Sequence, residues 1–103
     1  MKKSEILARL DGYEGRLYDL VTRVTRVRRD AELRLRGTSM ATLPNSLICD
    51  INRARSNNST RRKRIAALTD EAVAAADYSA DSFLGIEEQI EGFAVACERL
   101  EKL

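Results

Sequence analysis

From Ile6 the apolar residues recur at Leu10, Tyr13, Leu17, Leu20, Val24, Val27 and Ala31, at spacings that alternate between 4 and 3. That rhythm lays one unbroken stripe along an α-helix, the a/d seam of a helix that packs on another helix. It predicts a helix over about 4–36. Gly37 suits the position just past its end, where a left-handed backbone is wanted. Arg26 precedes Asp30, and Arg28 precedes Glu32, by one turn, so part of its basic face is paired within the helix. The last third repeats the rhythm at Phe83, Ile86, Ile90, Phe93, Cys97 and Leu100. Stepping backwards in register reaches Ser79, Ala76, Ala72, Thr69 and Ile65. A second long helix over about 60–102 follows, with small seam residues upstream and large ones downstream. Between the two, Pro44 fits a first helical turn, and Leu43, Leu47, Ile48 and Ile51 form a short apolar stripe, so a small helix over about 44–55 is expected. The run Ser56, Asn57, Asn58, Ser59, Thr60 offers five cap or turn formers in a row and predicts a break.

These elements describe an all-α fold, a single domain over 1–103: an antiparallel hairpin of two long helices joined by a short connecting helix, with a coiled-coil-like seam. If paired positions sum to 96, Leu17 meets Ser79, Leu20 meets Ala76 and Val24 meets Ala72, so large residues face small ones through the middle. A register one heptad away, with a sum of 103, is also acceptable. In the first register Gly12 falls beside Gly85, which a close helix approach would explain. Such a hairpin leaves Leu7, Tyr18, Val21, Val73, Leu84 and Val95 off the seam. Cover for them comes from a homodimer forming a four-helix bundle, from a larger helical partner protein or, in a monomer, from the short connecting helix.

Charge adds polarity to this picture. The chain carries 18 Lys plus Arg against 16 Asp plus Glu, a net of +2. Residues 16–64, however, hold 13 basic and 4 acidic side chains, and residues 65–103 hold 2 basic and 9 acidic. The cluster Arg61, Arg62, Lys63, Arg64 opens the predicted last helix, where the macrodipole disfavours cations, so helix stability does not explain it. In the hairpin it would lie near Arg28, Arg29, Arg34 and Arg36 and create one strongly positive end. Nucleic-acid phosphate, an acidic protein surface or the acidic end of a second copy would each neutralise that end. Of the five aromatics only Tyr18 lies in the basic segment, so single-stranded bases have no stacking platform beside the cluster, and duplex backbone is the nucleic-acid alternative.

Catalytic chemistry finds little purchase. The chain has no His, which removes His-based acid/base catalysis and His-ligated metal sites, and it has no glycine-rich phosphate loop. Glu87, Glu88 and Glu91 share a helical face but lack a second acidic helix to complete a metal site. Cys49 and Cys97 match no ligand or redox spacing and sit among apolar neighbours, as small buried hydrophobes do. No enzyme activity and no cofactor are expected. The longest uncharged run, Gly37 to Cys49, is thirteen residues, too short to span a bilayer. Lys2 and Lys3 lead into Ser4 and Glu5 rather than an apolar stretch, so no secretory signal is read and a cytoplasmic location is expected.

A chain of this length, built as a helical hairpin with Ala-rich seams, resembles the small helical proteins of type VII (ESX, WXG-like) secretion, including the partners of larger exported toxins. The local likeness is Ala74-Ala75-Ala76-Asp77-Tyr78-Ser79-Ala80-Asp81, followed by Phe83-Leu84-Gly85-Ile86-Glu87. That family often carries an aromatic residue four positions before an acid near the end of its second helix. Phe83 and Glu87 match that spacing with Phe in place of the usual Tyr, and the turn from Gly37 to Ser46 carries no Trp-Xaa-Gly. The resemblance implies a chaperone-like protein that binds another helical chain, with Phe83 and Glu87 as a candidate export signal and export without a cleavable signal peptide.

Overall fold

The computed structural model describes residues 1–103. The chain forms α1 (Lys3–Arg34), α2 (Leu43–Ala66), α3 (Asp70–Ala76), a 3-10 turn (Ala80–Phe83) and α4 (Leu84–Glu101), with no strand. The molecule is a rod of 55 × 20 × 19 Å. Its axis is α1, whose 32 residues rise about 48 Å.

The α1 seam performs as its spacing predicts at seven of its eight positions: Ile6, Leu10, Tyr13, Leu17, Leu20, Val24 and Ala31 are buried, and Val27 is half-buried. Fully burying one such large aliphatic side chain contributes about 1.5–3 kcal/mol. The helix ends slightly early, at Arg34. Gly37 adopts φ +82, and Thr38 closes the turn by donating from its hydroxyl to the Leu35 carbonyl at 2.6 Å.

What packs on this seam differs from the predicted pairing. α2 runs straight through residues 56–60 and continues to Ala66, so the expected break, the short helix ending at 55 and the long last helix beginning at 60 are all corrected. The physical reason is Asn58. It occupies a seam position in the series Leu47, Ile51, Ala54, Asn58, Ile65, every one of them buried, and its side-chain amide donates to the Leu10 carbonyl at 2.9 Å. The neighbours Ser56, Asn57, Ser59 and Thr60 face solvent and make no side-chain hydrogen bond. Each costs the helix roughly 0.5 kcal/mol relative to Ala, which the flanking apolar seam offsets. α2 lies antiparallel to α1, joined by Lys3 to the Leu68 carbonyl, Arg62 to Asp11 and Arg55 to Glu14.

The chain breaks instead after Ala66. Thr69 caps α3 by accepting from the Ala72 N–H at 3.1 Å, with Asp70 and Glu71 in the first turn. Asp77 ends α3 in the left-handed conformation, and a Ser79–Ser82 capping box opens the 3-10 turn. α4 then returns along α1. Arg9 pairs with Glu87, Cys97 Sγ donates to the Leu20 carbonyl, and Arg23 pairs with Glu101, a constant offset of 77–78 residues. A constant offset means parallel helices. The antiparallel registers summing to 96 or 103 are therefore both overturned, because α2 provides the return path and α4 runs in the direction of α1. α4 also supplies, from within the chain, cover that the hairpin reading assigned to a dimer mate, a partner or the short connecting helix. The close approach of Gly12 and Gly85 is absent, since both face open space. Cys97 is buried and Cys49 exposed, so only one of the two thiols is a core residue. No helix is long and apolar enough to cross a membrane.

Candidate functional site

The basic residues expected to form one positive end are divided between the two ends of the rod. Arg62 reaches Asp11 at 2.6 Å, so the cluster from Arg61 to Arg64 lies beside the first third of α1. Arg28 is 17 residues further along α1, about 25 Å away along the axis. The parallel course of α4 and the unbroken α2 cause the separation.

Consecutive helical residues point about 100° apart, so the four-residue run also splits by direction. Arg61 turns inward. Its guanidinium lies 4.6 Å from the centroid of the Phe83 ring and donates to the Ser82 carbonyl. Arg62 makes a two-point pair with Asp11, which raises its pKa above the ordinary arginine value. Lys63 and Arg64 are exposed and free of ion pairs, and they stand in the last turn of α2, where the helix dipole favours cations, rather than at a helix start as predicted, so helix stability accounts for part of the cluster. Across the molecule, Arg28 pairs with Glu32 at 2.9 Å, and Arg34 donates to the main-chain oxygen of Leu103. Arg29 and Arg36 are exposed and unpaired.

Phe83 and Glu87 do not form an exposed pair. Phe83 is 0% exposed, with Tyr13 and Tyr78 rings at 6.2 and 6.3 Å and the Arg9 guanidinium over it at 5.5 Å. Glu87 pairs with Arg9 at 3.6 Å. The Tyr13 hydroxyl beside them is buried and makes no hydrogen bond. Burial foremost, with Glu87 as a contributing neighbour, pushes its pKa above that of an ordinary tyrosine.

The six off-seam apolar residues separate in the same way. Val73 is 1% exposed, a core residue rather than interface, because α3 folds it against α1. Leu7 and Val21 are half-buried. Tyr18 stays exposed beneath the Arg55 guanidinium, and Leu84 and Val95 are each 49% exposed.

No protein-family model matches the chain, and comparison with curated proteins and with solved structures found no match.

Two surfaces remain that the fold does not consume. One is an apolar groove of about 310 Å³ where the turn after α1 meets α4. It is lined by Leu35, Met40, Leu43, Gly92, Val95, Ala96, Leu100 and Leu103, with Arg99 as its one charged wall. Met40, Val95 and Leu103 are among the most exposed large apolar residues of the chain, and Leu33 lies just before the same turn. Of these, only Val95 stood out in the sequence, because the turn residues have no periodicity to betray them. Gly92 sits mid-helix with nothing within 4 Å of where a Cβ would lie, so a side chain there would meet no resistance. The other surface is the outward face of α2. That helix carries six basic residues and one acid, Asp50.

Proposed function

We propose that this protein is a non-enzymatic helical interaction module that receives an acidic amphipathic helix of another protein in the groove between the α1–α2 turn and α4. One observation carries the reading: an apolar groove whose one charged lining residue, Arg99, the fold leaves without an ion pair. An apolar groove is the layout of helix-in-groove recognition, and the free guanidinium in its wall selects a partner helix that presents a carboxylate. The groove replaces the earlier set of interface residues, of which Val95 alone lines it.

The test uses a fluorescent 18-residue peptide with a leucine face and a glutamate face, beside a twin carrying lysines in place of the glutamates. Saturable binding of the acidic peptide, at least tenfold weaker binding of the lysine twin, and loss of binding in Met40→Glu and Val95→Glu are expected. Equal binding of both peptides rejects the reading. So does light scattering that shows a dimer which Met40→Glu and Val95→Glu dissolve, since a second copy would then occupy the groove.

A role in type VII export is a separate proposal, carried by the resemblance alone. Phe83 is core and Glu87 is held by Arg9, so a receptor reading that pair requires the first turn of α4 to open. Export of the chain from a type VII host, abolished by Glu87→Ala, is its test.

A further inference from the structure

We propose that the outward face of α2 is a binding surface for the phosphate backbone of duplex nucleic acid, independent of the apolar groove. Three features of that face converge. First, from residue 51 to residue 69 the chain contains no carboxylate, and the outward positions of α2 present Arg53, Lys63 and Arg64. Lys63 and Arg64 have no ion-pair partner, and Arg53 meets only the exposed Asp50 at 3.7 Å. Second, the space between these cations is filled by Ser56, Asn57 and Thr60, all exposed. They are poor helix formers in mid-helix, and none makes a side-chain hydrogen bond that would return stability to the fold. Short hydroxyl and amide groups flanked by Arg and Lys are the donors that contact phosphate oxygens. Third, Arg53, Ser56, Asn57, Thr60, Lys63 and Arg64 form a continuous polar and cationic line along α2, with the half-buried Leu68 and Tyr78 adjoining it beside Thr60 and Arg64 and the half-buried Phe93 beside Arg53. A strand that stacked a base on Tyr78 would bind as single-stranded DNA as tightly as duplex, which the test below separates.

The dimensions agree. Arg53 to Arg64 spans eleven residues, about 16 Å along the helix axis, which exceeds the roughly 12 Å width of a B-form major groove. Cations at the two ends of that span therefore reach phosphates of opposite strands. The nucleic-acid reading of the basic run thus becomes specific. Arg61 and Arg62 are occupied by Phe83, Ser82 and Asp11 and support the bundle, while Lys63, Arg64 and Arg53 face the ligand.

Fluorescence anisotropy with a labelled 30-base-pair duplex of arbitrary sequence tests this. Binding at 50 mM salt is expected to weaken with a log–log salt slope of about −2.7, the value for three phosphate contacts. The double reversal Lys63→Glu with Arg64→Glu should cost at least tenfold in affinity. Arg26→Glu with Arg29→Glu, which changes net charge equally at exposed, unpaired positions of α1 outside both this face and the groove, should cost less than threefold. Asn57→Ala with Thr60→Ala supplies the decisive contrast: it should raise Tm by improving helix propensity and yet weaken binding by threefold or more. No anisotropy change at 100 µM protein overturns the proposal. Equal losses from the two charge reversals overturn it as well, because net charge rather than this face would then govern. Equal affinity for polyglutamate, or for single-stranded DNA of the same length, rejects the duplex assignment. None of these outcomes touches the groove.

Discussion

Each end of the rod engages some of its cations and leaves others free, Arg61 and Arg62 against Lys63 and Arg64 at one, Arg28 and Arg34 against Arg36 and Arg99 at the other. The ends differ in how far their apolar side chains are covered. At the end where α2 meets the start of α1, cations close the structure: Lys3 holds the Leu68 carbonyl, Arg62 holds Asp11, and Arg61 clamps the 3-10 turn while covering Phe83. At the other end Arg36, Arg99 and Lys102 are unpaired, and apolar side chains of the α1–α2 turn and α4 stay exposed around a groove. Arginine content alone therefore says nothing about binding. What matters is whether a carboxylate, a carbonyl or an aromatic face lies within reach of each guanidinium.

The sharpest way to break this contrast is to truncate at each end. Phe83→Ala removes a side chain packed between two tyrosines and two guanidiniums and should destabilise the protein by about 3–5 kcal/mol in urea unfolding. Met40→Ala at the open end should change stability by under about 0.5 kcal/mol, as expected for a surface position. Similar losses at both sites would show that the groove is as tightly packed as the closed end.

Of smaller effect is Tyr13→Phe, which deletes a buried hydroxyl without a hydrogen bond while keeping the ring against Phe83. A stabilisation of about 1 kcal/mol is expected from relieving an unsatisfied polar group. A loss of stability would mean that the hydroxyl engages Arg9 or Glu87 in solution.

The smallest effect concerns pH. The Arg23 guanidinium, hydrogen-bonded to Glu101, holds that carboxyl below the ordinary glutamate value of 4.5. With a depressed folded-state pKa, the contribution of this contact is present above 4.5 and is lost as pH falls through the folded value. The contact is solvent-exposed, so the direct readout is the Glu101 titration followed by NMR. Arg23→Ala should move its midpoint upward, and an unchanged midpoint would remove Arg23 as the cause.

Much of α1 was legible because one uninterrupted stripe of large apolar residues allows only one helical face. The rest was obscured by two residue-level ambiguities. Asn58 occupies a seam position, yet beside Ser56, Asn57, Ser59 and Thr60 it reads as part of a break. Its hydrogen bond to Leu10, 48 residues away, cannot be inferred from local pattern. Conversely, the heptad rhythm from Ile65 to Leu100 passes through Thr69 and Ser79, which are helix starts rather than seam residues. Thr69 followed by Asp70 and Glu71 was a visible cap signal that the periodicity outweighed. Moving the break from residue 58 to residue 68 turned a two-rod hairpin into three rods, reversed α4 relative to α1 and split the basic cluster from its expected neighbours. The groove was illegible because turn residues such as Met40 follow no period.

Asn58 also bears on which alignments the bundle can adopt. Its amide finds the Leu10 carbonyl only when α1 and α2 are aligned as observed; slipping one helix by a turn would strand a buried donor at a penalty of about 1–3 kcal/mol. A leucine there would tolerate several alignments and so strengthen the wrong ones along with the right one. This single amide acts less as glue than as a key, making mispaired bundles expensive while adding little to the correct one.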